Sequence, residues 1–216
     1  SAAMPPCAAR SNDVNGGQTS SQNSNQKHKK EYKQISMKPI IYQLLPRLFT
    51  NYCETCRHDG TIEQNGCGKM NAITGRVLKS IKDLGVTHVW YTGVIEHAHA
   101  TDYSHFGIKR DNPHVVKGKA GSPYAISDYY DIDPDIAENV EKRLSEFDRL
   151  VERTHKSGLK VIIDFVPNHV ARRYESDVKP VGIEDFGVGD DNTMFFRRDN
   201  NFYYITRQLF APSIDL

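Results

Sequence analysis

Lys160-Val161-Ile162-Ile163-Asp164-Phe165-Val166-Pro167-Asn168-His169 is the stretch on which the reading of this chain turns. Its first half is a β-branched, apolar run of strand length. Its second half brings in a carboxylate, an amide and an imidazole. Such groups are costly inside a core, but at the C-terminal end of a buried strand they can hydrogen-bond a polyhydroxylated ligand. The same residues also read as a turn capped by Asp164, with His169 packed beneath a loop.

Upstream, Val140, Leu144, Phe147, Leu150 and Val151 recur at helical spacing and are closed by Gly158, which predicts a helix feeding this strand. Further back, Val86-Thr87-His88-Val89-Trp90-Tyr91 follows Gly85 directly and reads as a strand. Ile73, Val77, Leu78, Ile81 and Leu84 trace the helix before it. Ile40-Ile41-Tyr42-Gln43-Leu44-Leu45, ended by Pro46, suits a first strand buried on both faces. Alternating strands and amphipathic helices predict a parallel β/α fold, whose right-handed crossovers bring every strand's C-terminal end to one side. Long loops on that side tend to line binding sites. The segment from Glu96 to about Asp135 is expected to be one such polar loop. Beyond Val170 the sequence turns polar and aromatic without clear period, and no fourth parallel strand with its helix is evident before Leu216.

Asp164-Phe165-Val166-Pro167-Asn168-His169 resembles the Asp-x-x-x-Asn-His signature at the end of the third barrel strand of the α-amylase family, glycoside hydrolase family 13. Other stretches join it in the family's order: Ile41-Tyr42-Gln43-Leu44, Asn65-Gly66-Cys67-Gly68 leading into Ile81-Lys82-Asp83-Leu84-Gly85-Val86, and Gly121-Ser122-Pro123-Tyr124-Ala125-Ile126-Ser127-Asp128-Tyr129-Tyr130. The resemblance implies an α/β fold: a partial TIM (β/α)8 barrel covering about the first three strands, followed by the start of an inserted excursion domain. It divides the chain into a disordered tail or targeting remnant (1–37), the N-terminal part of the catalytic domain (38–169), and the start of the excursion domain (170–216).

What the resemblance implies for the site is specific. The carboxylate at Asp164 maintains the floor of the catalytic sugar subsite, and the imidazole at His169 hydrogen-bonds the sugar. Tyr124 falls where the family stacks an aromatic ring on the sugar's CH face, although a core tyrosine is the plainer reading. Asn168 matches a calcium ligand of many members, with Asp190 and Asp191 as candidates to complete that site, although acidic loop residues are usually just solvated. No cofactor is otherwise required. Lys69 follows Gly68 where many members carry Asp, and an ammonium cannot ligate a cation, so no metal is expected in that loop. The His-Gly-Tyr of many α-amylases is absent, and Ala125 stands where many α-glucosidases carry Asp, which leaves the linkage preference open.

Retaining glycoside hydrolysis needs two carboxyl groups about 5 Å apart. The Gly-x-Arg-x-Asp pattern that carries the nucleophile in the family does not occur after His169. The 216 residues alone are therefore expected to be inactive, as the N-terminal part of an α-glucan or oligosaccharide hydrolase or transglycosylase. A non-catalytic carbohydrate-binding protein is the first alternative. The second is a metal module built on Cys53, Cys56 and Cys67 with His58, although free thiols or one local disulfide fit the same cysteines. His97, His99, Asp102 and His105 form a further cluster, read as polar loop residues or as metal ligands.

The resemblance implies an oligosaccharide or polysaccharide as the partner, and composition bears on the other classes. Lys and Arg number 28 against 27 Asp and Glu, a balance that does not suggest nucleic acid. No stretch approaches the roughly 20 apolar residues a membrane helix needs. Residues 10 to 34 are dominated by Ser, Asn, Gln, Gly and Lys and are expected to be disordered. The small-residue opening, Ser1 to Ala9, resembles the end of a removed targeting peptide and slightly favours export, although an arbitrary cut reads as well. Oligomeric state is not readable.

Overall fold

A computed structural model describes residues 38–206 of the chain. The predicted tail, Cys7 and the last ten residues lie outside the described residues.

Three strands form a parallel sheet: β1 (Ile41–Leu44), β2 (His88–Tyr91) and, last in the chain, the strand Lys160–Ile163, with β2 in the centre. Short helices α1 (Pro46–Phe49) and α2 (Ile62–Asn65) lie in the loop after β1, and α3 (Gly75–Asp83) leads into β2. A second, antiparallel pair follows, β3 (Ile95–His97) with β4 (Ile126–Ile132), and then α4 (Arg143–Lys156). The strand Lys160–Ile163 is therefore β5.

The helices form where the apolar spacing predicts them, with starts and stops that have physical causes. Thr74 caps α3 by accepting from the Val77 N–H, satisfying one donor left orphaned at a helix start. Gly85 ends the turn after α3 at φ +86°, a conformation that disfavours any residue with a Cβ. Leu78 and Ile81 of α3 and Leu150 of α4 are buried, as are Val89 and Tyr91 of β2. Side chains alternate across a strand, so Val89 and Tyr91 share one face of the sheet. The Tyr91 hydroxyl meets the Thr154 hydroxyl of α4 at 2.7 Å, which satisfies both polar groups inside the core.

The expectation that the first strand is buried on both faces is not met. Ile41 is 49% exposed and Ile163 of β5 is 42% exposed. In this sheet β1 and β5 are edge strands, and only the central strand has a neighbour on each side. The predicted strands are also longer than those that form, since the apolar run 160–166 pairs only as far as Ile163.

The polar segment 96–135 is not a plain loop. It carries β4, and Glu96 and His97 belong to β3, with Ile95 opposite Ile132 and a register shift on each side of Glu96. Glu96, His97, Asp128 and Asp131 are all buried. Polar residues on buried positions erase the period-2 apolar signal that reveals a strand. A Cβ on Gly121 would fall 1.8 Å from the Ala98 carbonyl oxygen; only glycine permits that close approach of backbone to backbone.

After β5 no helix or strand forms among the described residues. Side chains organise that segment instead. Tyr129, Tyr174, Phe186 and Phe202 pack ring against ring, with Tyr174 and Phe186 centroids 4.8 Å apart. Arg173 bonds Asp111 at 3.1 Å.

Candidate functional site

The site lies at the C-terminal ends of the parallel strands. Asp164 follows β5 directly, and its Oδ1 accepts a hydrogen bond from the Trp90 indole of the central strand. Its Oδ2 is buried without a partner. A buried carboxylate oxygen left unpaired is costly. Tyr124, 44% exposed, stands on the turn Ser122–Ala125 that enters β4. Asp164 and Tyr124 line one cavity of about 370 Å³ with Trp90, Ile162 and Phe165.

Asn168 and His169 sit on the loop beyond Asp164, both exposed. Their side chains meet each other, Asn168 Nδ2 to His169 Nδ1 at 3.2 Å. The loop is fixed from β4, whose Tyr129 hydroxyl donates to the Val166 carbonyl and lies 3.4 Å from that of His169. These two residues line a larger cavity of about 890 Å³, walled by Tyr129, Tyr174, Phe186 and Phe202. The structure thus places Tyr124 with Asp164, and Asn168 with His169, in two cavities that share Phe165. An aromatic-lined cavity with a few polar groups can take the CH faces and hydroxyls of a sugar.

The remaining sequence-predicted metal residues are dispersed. Asp190 accepts from Asn201, Phe202 and Tyr204, and Asp191 from Thr193 and Arg197. Neither belongs to the two side-chain groups that could hold an ion among the described residues, which are His99, Asp133 and Asp135, and Glu96, Asp131 and Asp177. In the first group Arg47 already bonds Asp135 at 2.6 Å and approaches Asp133 at 3.4 Å. In the second, Arg143 bonds Asp131 and reaches Asp177 at 3.0 Å. Lys69 donates to the carbonyls of Asp135 and Ala137 at 2.6 and 3.0 Å. Fixed side-chain cations therefore stand against both acidic groups.

The predicted histidine cluster divides. His97 and His99 are buried, and His97 lies within reach of the Ile95 and Ala120 carbonyls. Asp102 instead caps the Ser104 N–H, and His105 packs on Phe106. Cys53 and Cys56 are exposed, Cys67 is half-buried, and all three are free thiols. Neither potential ion-binding group includes a cysteine. Burial pushes the Cys67 thiol up to about 11.

Sequence reasoning missed Trp90 as the partner of Asp164 and Tyr129 as the loop's anchor. It also missed Glu96, whose carboxyl is pushed up to about 9 by burial and then by the neighbouring Asp131 charge, against a hydrogen bond from Ser127.

Comparison with known proteins gives this geometry its context. Residues 21–194 match the family model of the α-amylase catalytic domain. The chain belongs to the α-amylase family. It is 31% identical over 156 residues to Maltase 1 of Drosophila virilis, covering 70% of this chain and 19% of that protein. Identity to the cyclomaltodextrin glucanotransferase of Geobacillus stearothermophilus is 26% over 177 residues, or 76% of this chain and 22% of the other. Among solved structures, an α-amylase from Lactobacillus plantarum aligns at 30% identity with a TM-score of 0.41, covering 61% of this chain and 23% of that one. This α-amylase-family chain thus spans about a fifth of the length of the curated relatives it matches. No helix among its described residues is long and apolar enough to cross a membrane.

Proposed function

We propose that the chain forms the first three strands of a (β/α)8 barrel and one wall of its catalytic sugar subsite. The enzyme would be a retaining α-glycoside hydrolase or transglycosylase acting on α-glucans or related oligosaccharides. The observation that carries this reading is Asp164, held by Trp90 through one oxygen at the end of β5 and lining one cavity with Tyr124. In this reading the Tyr124 ring covers the CH face of the sugar, and Asp164 accepts from a hydroxyl or orients a cationic side chain. His169 hydrogen-bonds the same sugar, and the segment from 170 onward begins the excursion domain. A calcium ion on the Asn168 carbonyl is compatible with this reading, but no step depends on it. The nucleophile and the acid, two carboxyls about 5 Å apart, are assigned to no residue of this chain.

The test is to follow maltooligosaccharide turnover by the intact protein with NMR of the anomeric protons. Products released first as the α-anomer, or transferred to a second sugar, are expected. First release of the β-anomer overturns the retaining assignment. Binding without turnover supports the non-catalytic alternative instead.

A further inference from the structure

Arg143 does not exhaust the second acidic group. Glu96 of β3 stands opposite Asp128 of β4 across the antiparallel pair, and both are buried, at 2% and 0% exposure. Like charges placed opposite each other in such a pair are destabilising. Each carboxylate has one oxygen provided for: Ser127 donates to Glu96 Oε1 at 3.0 Å, and the Tyr130 N–H donates to Asp128 Oδ1 at 2.7 Å. Glu96 Oε2 and Asp128 Oδ2 are buried without a partner. A side chain from elsewhere in the protein cannot reach these enclosed atoms without displacing what covers them. A proton, a water or a small ion can.

Asp131 and Asp177 complete the cluster. Arg143 Nε donates to the two oxygens of Asp131 at 2.8 and 2.7 Å, and Nη2 reaches Asp177 at 3.0 Å. One guanidinium thus stands among four carboxylates, and buried charge that is not balanced is costly. One oxygen from each of Glu96, Asp131 and Asp177 lies within 4.8 Å of the other two. Calcium binds oxygens at about 2.3–2.6 Å, so ligands on opposite sides of it stand about 5 Å apart and one ion can touch all three. An all-oxygen set suits a hard cation. Calcium tolerates irregular geometry, whereas magnesium demands a near-ideal octahedron and keeps several waters.

We propose that Glu96, Asp131 and Asp177, with Asp128 alongside, hold a calcium ion that fastens the β3–β4 pair to the segment after β5. This place is distinct from the Asn168 loop, and the proposal does not depend on the sugar reading. The ion supplies positive charge that Arg143 alone does not. With no cation bound, a proton on Glu96 relieves the same crowding, its carboxyl being raised by burial and then by the Asp131 charge.

Calorimetric titration of the chelator-treated intact protein with calcium chloride tests the site, using Glu96→Gln, Asp177→Asn and Asn168→Ala. The parent is expected to bind calcium, and the two carboxylate variants to bind it at least about tenfold more weakly, while Asn168→Ala keeps this binding. No uptake by the parent up to about 5 mM calcium, past the weak end of protein calcium sites, overturns the proposal. So does calcium binding unchanged in either carboxylate variant, or weakened equally in all three. Asp177 lies at the edge of the cluster, its side chain 28% exposed, so Asp177→Asn decides the matter alone if Glu96→Gln fails to fold.

Discussion

The Trp90 indole N–H donates to Asp164 Oδ1, tying the central strand of the parallel sheet to the carboxylate at the end of its neighbour. The bond fixes one oxygen of Asp164, the other is buried without a partner, and Asp164 lines one cavity with Tyr124. Trp90→Phe keeps a ring in place and removes only the donor. Losing a hydrogen bond to a charged group costs about 1.5–3 kcal/mol. Sugar binding by the intact protein is expected to weaken by about tenfold or more, with the near-UV circular dichroism of the remaining aromatics largely retained. Unchanged affinity would show that Asp164 needs no such anchor.

Glu96 supplies a pH dependence whose sign can be worked out. Its carboxyl is raised from 4.5 to about 9 in the folded chain, chiefly by burial. The folded state therefore holds the proton more tightly than the unfolded state does. Between about pH 4.5 and 9 the unfolded chain is ionised and the folded carboxyl is not, so this group's contribution to stability falls as pH rises through that window. Glu96→Gln removes the titration while keeping the shape. Thermal melts are expected to show the variant gaining on the parent from pH 5 to pH 9, and parallel curves would contradict the assignment.

The cysteines should separate by reactivity. Cys53 and Cys56 are exposed, whereas Cys67 is half-buried with its thiol pushed up to about 11, first by burial and against the pull of Arg47. The thiolate is the reactive form. Iodoacetamide labelling at pH 8, read by peptide mass spectrometry, is expected to modify Cys53 and Cys56 well before Cys67. Rapid labelling of Cys67 would mean that the loop after β1 opens in solution.

The parallel sheet was legible because its strands are apolar runs, each preceded by or leading to a helical stripe, and Gly85 and Gly158 mark the joins. The β3–β4 ribbon was not. Glu96, Asp128 and Asp131 occupy buried strand positions, and a one-dimensional pattern of carboxylates gives no sign that Ser127 donates to Glu96 and Arg143 to Asp131. Asp164, Asn168 and His169 were legible as polar groups ending a strand. Their division between two cavities was not, because it depends on Tyr129 of β4 holding the loop from across the fold. Asp190 and Asp191 were legible only as candidates to complete a calcium site implied at Asn168, and the hydrogen bonds they accept within their own segment, from N–H groups, Tyr204 and Arg197, leave no trace in the sequence pattern.

The most direct test of the central claim, that Tyr124 and Asp164 form one wall of a sugar site, is the dissociation constant of maltose for the intact protein, compared with Asp164→Asn and Tyr124→Ala. Each variant is expected to bind about tenfold or more weakly, the scale of one lost charged hydrogen bond or one lost stacked ring, while the melting temperature stays close to that of the parent. Affinity unchanged in both variants would contradict the account.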